Sequence, residues 1–292
     1  MTRPSGRTAA CLALVGLLAA CRATDSTGGR PGPAPATGSA TSATSTTSAT
    51  SPTSATPDLV ESLRAEIVNE RPRGDRGFTQ GLELDGGVRY ESNGLYGASV
   101  VRAVDDATGT VLRTFTPPVD VFAEGITKVD DTLVLLTWRE RRAFVLDAVT
   151  LTERRQLAYD TEGWGICARD DEVVTSDGSD TLTVRDPKTL TPRRTVQVRL
   201  RGTAVPELNE LECVGDHVWA NVWRTDRIVR IRVADGTVTG VADLPELRPD
   251  STRPDADAVL NGIAHDGRSD TFLLTGKRWP VIYEVRFVKA GS

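Results

Sequence analysis

The sequence predicts an all-β ring of five repeated units, and three observations carry that prediction. One short phrase, a small or acidic residue followed by a branched aliphatic, recurs as Gly81-Leu82, Gly125-Ile126, Gly165-Ile166, Glu210-Leu211 and Gly262-Ile263. Its spacings of 44, 40, 45 and 52 residues are each the length of a four-stranded module. After the phrases come apolar, β-branched runs broken by Asp or Gly turns, with no sustained helical period. The last unit has room for three strands after Asn261, and Arg64-Ala65-Glu66-Ile67-Val68, ahead of the first phrase, can supply the fourth. Such an exchange closes the ring and removes an exposed edge. The expectation is therefore a five-bladed β-propeller closed by an N-terminal strand, over residues 59–290. A two-domain β protein is the rival.

Ahead of this domain the composition changes twice. Residues 1–21 carry Arg3 and Arg7, an apolar run from Ala9 to Ala20 and the ending Leu18-Ala19-Ala20-Cys21. The run is short for a membrane span and reads as an export signal. Its ending resembles the bacterial lipobox, so Cys21 is expected to be lipidated and to hold the chain at an extracytoplasmic membrane face, the lipid being its only membrane contact; secretion is the alternative. Residues 22–58 are almost wholly Ser, Thr, Ala, Gly and Pro, too poor in apolar side chains to order, and are expected to form a tether.

The second unit shows how each module is built. Glu124-Gly125-Ile126-Thr127-Lys128-Val129 leads to an Asp130-Asp131 turn, then Thr132 to Trp138, then Ala143 to Asp147. The third turns at Asp170-Asp171 and the fourth at Gly215-Asp216, with Asp105-Asp106-Ala107-Thr108-Gly109 and Ala234-Asp235-Gly236 at matching places before outer strands. Cys167 and Cys213 follow the phrase in neighbouring units. Export permits a disulfide, but its distance requirement is narrow, and buried free thiols are the expectation.

The formal charge of −5 shows no nucleic-acid footprint. Two isolated histidines, His217 and His265, read as turn residues and make no zinc constellation, so no metal is expected. Ser176 and Ser179 have no His partner for a nucleophilic triad.

Chemistry is expected where the innermost strands converge. Gln80, Glu124, Trp164, Asn209 and Asn261 each stand just before a phrase, so a ring gathers them at one mouth. Unpartnered polar groups there cost roughly 1–3 kcal/mol, which leaves two readings of the amides: ties between neighbouring blades, or a site. Glu124 demands more, because a carboxylate near an apolar axis must be paired, shifted in pKa or solvated. Trp138 and Trp223 end strands of one polarity beside polar neighbours, which predicts an aromatic pocket at that mouth; Trp219 reads as core. Lys277, in Thr275-Gly276-Lys277-Arg278-Trp279, is one of only four lysines among 35 basic residues.

Ten strings in order, among them Phe78-Thr79-Gln80-Gly81-Leu82, Tyr90-Glu91-Ser92-Asn93-Gly94, Glu124-Gly125-Ile126-Thr127, Glu162-Gly163-Trp164-Gly165, Leu208-Asn209-Glu210-Leu211 and Thr275-Gly276-Lys277, closely resemble the plant and bacterial glutaminyl-peptide cyclotransferases over residues 62–288. Ala123 departs from the family's usual Gly. The resemblance implies a five-bladed propeller that needs no cofactor and turns the N-terminal Gln of a peptide or protein into pyroglutamate with release of ammonia. It implies Glu124 as acid and base, with Glu91 as the runner-up. Lys277 and Asn209 become donors to the developing oxyanion, and Gln80, Glu91, Trp138, Trp164, Trp223 and Asn261 substrate contacts. A monomer is expected. Two other classes stay open, a non-catalytic peptide-binding propeller and a lactonase-like hydrolase using Glu124, Asn209, Asn261 and Asp177 around a cation.

Overall fold

The computed structural model describes residues 59–74 and 76–291. The expected leader, the lipidation site Cys21 and the tether at 22–58 lie outside the described residues. What is described is all-β, apart from two short 3₁₀ turns, at Pro245–Leu247 and Asp250–Thr252.

Each phrase opens a four-stranded antiparallel meander or leads into one. The first comprises β2 (Thr79–Asp85), β3 (Val88–Asn93), β4 (Val100–Asp105) and β5 (Val111–Phe115), hydrogen-bonded in that order. The second comprises β6 (Ala123–Val129), β7 (Thr132–Thr137), β8 (Arg142–Asp147) and β9 (Glu153–Ala158). In the third, β10 (Ile166–Arg169), β11 (Glu172–Thr175), β12 (Thr181–Arg185) and β13 (Pro192–Gln197) repeat the pattern. A small hairpin, β14 (Arg199–Leu200) with β15 (Thr203–Ala204), precedes the fourth: β16 (Leu208–Val214), β17 (His217–Val222), β18 (Arg227–Arg232) and β19 (Val238–Asp243). The fifth has three strands of its own, β20 (Leu260–Asp266), β21 (Thr271–Gly276) and β22 (Val281–Lys289).

Its fourth is β1 (Glu61–Pro72), which pairs antiparallel with β22 from Leu63↔Lys289 to Pro72↔Val281. The first residues of β1 also pair parallel with β19 at Glu61↔Gly240, so the last two units form one eight-stranded sheet. β1 is thus longer than expected and has a second partner. Beyond it, Arg71 bonds Asp106 and donates to Glu284 at 2.7 Å, which ties the strand to the first unit as well.

First strands lie side by side in the order β2, β6, β10, β16, β20, and β20 returns to β2. Their aliphatic phrase residues fill the spaces between units: Leu82, Ile126, Ile166, Leu211 and Ile263 are all at most 1% exposed. Phrase glycines permit the approach, since a Cβ on Gly165 would stand 2.1 Å from the Asn209 carbonyl and one on Gly125 2.8 Å from the Ile166 nitrogen.

An innermost strand has one edge without a strand partner, and its N–H groups must be satisfied otherwise. Side chains of other units do this. Glu210, standing where the other phrases carry Gly, accepts from Leu82 N at 3.1 Å and from Ile263 N at 2.8 Å. Glu83 accepts from Lys128 N at 3.0 Å, Glu212 from His265 N at 3.2 Å, and Asn221 Oδ1 from Gly262 N at 3.0 Å.

The expectation of free thiols is overturned. Cys167 on β10 and Cys213 on β16 form a disulfide with Cα atoms 5.4 Å apart. The close packing of the first strands that the phrase glycines permit brings the two within bridging distance. His217 and His265 likewise lie near strand ends of β17 and β20, not in turns.

Candidate active site

Successive strands of each meander run antiparallel, so the start of a first strand and the end of the second share one face. On that face a cavity of about 230 Å³ is lined by Phe78, Gln80, Leu95, Phe122, Glu124, Trp138, Trp164, Asn209, Trp223, Asp257 and Lys277. The five units all contribute to it. Seven residues read from the sequence meet here: Gln80, Glu124, Trp138, Trp164, Asn209, Trp223 and Lys277.

Glu124 is 5% exposed. Its backbone is clamped, because its carbonyl accepts from Ser92 Oγ at 2.5 Å and the next amide, Gly125 N, donates to Trp164 O at 2.8 Å. Its carboxylate receives one long hydrogen bond, from Gln80 Nε2 at 3.4 Å. Burial pushes its pKa well above the usual carboxylate range; the Lys277 charge opposes this, and Glu140 and Glu162 reinforce it. The departure at Ala123 is absorbed, since its φ is not in the left-handed region and its methyl is fully buried in the core.

Lys277 is equally buried, with its ammonium 4.9 Å from the centre of the Phe78 ring. Its peptide N–H donates to Val259 O at 2.9 Å. The turn that presents it needs Gly276, because the Trp279 indole lies where a Cβ would go, at 2.3 Å. Burial lowers the Lys277 pKa to about 8, with the Glu124 and Asp257 charges pulling the other way. A buried acid and a buried base thus face one cavity, each drawn toward its neutral form.

Asn209 is held by its backbone, whose carbonyl accepts from Ser176 Oγ at 2.6 Å. Its side-chain Oδ1 is buried and has no hydrogen-bond partner among the described residues. That oxygen offers an acceptor to a ligand N–H, a role not anticipated from the sequence. Trp164 and Trp223 meet edge to face with ring centres 5.4 Å apart, and Phe122 and Trp138 do the same at 5.5 Å.

Two expected residues stand elsewhere. Glu91 is not at the cavity: it accepts from Arg73 at 2.6 Å and Arg89 at 2.7 Å in a buried ion-pair network, because β3 turns it to the same side as Arg89. Two guanidiniums occupy its lone pairs, which withdraws it as an acid/base or substrate contact. Asn261 lies one layer behind, donating Nδ2 to Thr79 O at 3.0 Å and to Gln80 Oε1 at 3.4 Å, and so acts as a tie that orients Gln80. Asp177 accepts from Ser179 within its own turn. Of the four residues in the lactonase-like reading, Glu124 and Asn209 line the cavity while Asn261 and Asp177 do not, and among the described residues no three His, Cys, Asp or Glu side chains form a metal-holding group.

A sequence profile of the glutamine cyclotransferase family matches residues 39–287. The chain belongs to this family. It is 36% identical over 231 residues to a glutaminyl-peptide cyclotransferase of Arabidopsis thaliana, covering 78% of this chain and 72% of the plant protein. The crystal structure of Myxococcus xanthus glutaminyl cyclase is similar at a TM-score of 0.73 and 32% identity, over 80% of this chain and 100% of that one.

Four residues lining this cavity were missed in the sequence: Phe78, Leu95, Phe122 and Asp257. A signal existed for two. Phe78 and Phe122 each stand two residues before the polar residue of their phrase, so they occupy one register position and point to one place. Leu95 and Asp257 come from connecting segments with no fixed register to the repeat.

Proposed function

We propose that this chain is a glutaminyl-peptide cyclotransferase, and that its units are the blades of a five-bladed β-propeller with the reaction at one mouth of the ring. The observation that carries the reading is the convergence of Glu124, Lys277 and Asn209, from three different units, on one aromatic-walled cavity. Its volume lies below the ~300–1,000 Å³ of sites that enclose a whole drug-sized ligand, which suits one terminal residue and not an extended peptide.

The reaction joins the α-amino nitrogen of the terminal Gln to its own γ-carboxamide carbon. Walls of Trp138, Trp164, Trp223, Phe78 and Phe122 restrict the side chain to folded-back rotamers and so lower the entropic part of the barrier. As the N–C bond forms, the amine becomes acidic and Glu124 takes its proton. The carbonyl oxygen gains negative charge, which the Lys277 ammonium stabilises. Glu124 then returns the proton to the departing nitrogen, the C–N bond breaks, and ammonia and the pyroglutamyl peptide leave. Its raised pKa suits a group that must both accept and donate near neutral pH. Asn209 Oδ1 is placed to accept from the substrate's N–H groups.

With the export signal and lipobox-like ending, this reading places the reaction at an extracytoplasmic membrane face, on a monomeric domain anchored through Cys21. The test is ammonia release from a Gln-Ala dipeptide in fractionated cells. Activity is expected with the membranes and in the soluble fraction for Cys21→Ser. Glu124→Gln is expected to reduce it by about 10²–10⁴ with the fold retained. A near-normal rate in that variant removes Glu124 from the reaction.

A further inference from the structure

Glu162 does not line the cavity, yet it touches two of the walls that do. Its Oε2 accepts from the Trp138 indole nitrogen at 2.8 Å and from the Trp164 indole nitrogen at 3.3 Å. Its Oε1 lies 3.4 Å from Arg139 Nε, and the Arg139 guanidinium covers the Trp138 ring at 3.8 Å. The two indoles come from neighbouring units, so a single carboxylate couples them.

The local backbone is built for that coupling. Gly163 N donates to Trp138 O at 2.9 Å. A Cβ on Gly163 would lie 2.3 Å from the Tyr159 hydroxyl and 2.6 Å from Thr137 O, so only glycine lets the segment press against the end of β7. Glu162 also stands two residues before the polar member of its phrase, the register position that Phe78 and Phe122 hold in their own units. In the third unit that position carries an acceptor in place of a ring.

We propose that Glu162 is a positioning residue of the cyclisation site, whose carboxylate holds the Trp138 and Trp164 indoles in one orientation around the substrate's glutaminyl side chain. Freed from it, each indole loses its acceptor and can rotate about χ1 and χ2, and the restriction that folds the substrate back is weakened. A second consequence is electrostatic: its negative charge helps keep the proton on Glu124.

The proposal rests on the cyclotransferase reading, and the experiment separates the two. Steady-state kinetics of ammonia release from a Gln dipeptide are measured across pH for the wild type, Glu162→Ala and Glu162→Gln. Glu162→Ala is expected to raise KM about tenfold with a smaller fall in kcat, and to change the tryptophan near-UV circular dichroism. Glu162→Gln retains an acceptor oxygen without the charge. It is expected to restore most of the lost KM while moving the acidic limb of the kcat profile to lower pH. A wild type that releases no ammonia sinks the function itself. An active wild type whose two variants share its KM and pH profile, or a Gln variant as impaired in KM as the Ala variant, overturns the role of Glu162 alone.

Discussion

At the level of single residues the site rests on two buried ionisable groups whose charges need each other. Desolvation drives Glu124 and Lys277 toward neutrality, and each one's charge is what most opposes the shift in the other. Catalysis as written needs the ammonium at Lys277 and an unprotonated Glu124. Turnover at saturating substrate is therefore expected to fall on the alkaline side with a midpoint near pH 8, the value to which Lys277 is lowered. Lys277→Met should lower kcat by about 10²–10³ and abolish that limb. It should also move the acidic limb upward, because the cation that holds the Glu124 pKa down is gone. Ammonia release from pH 5 to 10 checks this, and an alkaline limb that persists in the variant would show that Lys277 is not its source. Most of these residues were legible in the sequence because the repeat places them: a polar residue before each phrase must arrive at the same mouth. Glu91 was misread because a motif string says nothing about which side of a strand faces the axis, and Arg73, the partner that claims it, lies outside the repeat.

At the level of elements, the five phrases marked every first strand and the hairpin turns marked most of the others, but nothing marked the β14–β15 hairpin. The length of β1 and its parallel pairing with β19 were not legible, since the missing fourth strand of the last unit calls for one antiparallel partner and no local pattern marks a second. The disulfide was not legible for a related reason. Neighbouring-unit positions of Cys167 and Cys213 could be read, but their Cα separation depends on how closely β10 and β16 pack, which the phrase glycines decide in three dimensions. The bridge joins the strand just after Trp164 to the strand that carries Asn209. Its sequence separation of 46 residues corresponds to a loop-closure contribution of about 2–4 kcal/mol. Cys167→Ser with Cys213→Ser is expected to lower the Tm by roughly 5–15 °C and to raise KM, because the cavity wall between the two units loosens. Calorimetry of the double variant measures the first effect, and an unchanged Tm would mean that packing alone sets the spacing of these strands.

On the scale of the whole molecule, the innermost strands solve their edge problem with carboxylates, and that choice shapes how stability responds to pH. Glu210 is fully enclosed and held well above the ordinary carboxylate range by burial, with its two backbone N–H partners pulling the other way. Glu83 and Glu212, both on first strands and partly buried, are raised chiefly by desolvation, Glu83 to about 7 and Glu212 well above its ordinary value. Glu124 shifts in the same direction. A carboxyl group whose folded pKa exceeds its unfolded value binds more protons in the native state, so its contribution is present at low pH and is lost as pH rises through the window between the two values. The carboxylates lowered by surface partners, such as Asp186 and Asp235 at about 2, act only when pH falls below the ordinary Asp range. Between those regimes the enclosed glutamates decide the sign. The unfolding free energy is expected to increase as pH falls from about 7.5 to 5, and to decrease again below about 4 as the surface pairs protonate. Thermal unfolding of the domain at constant ionic strength across that range checks the sign, and a Tm that declines steadily from pH 7.5 to 5 would mean that these side chains are ionised in the native protein and that the N–H groups of the inner edges are held by full negative charges.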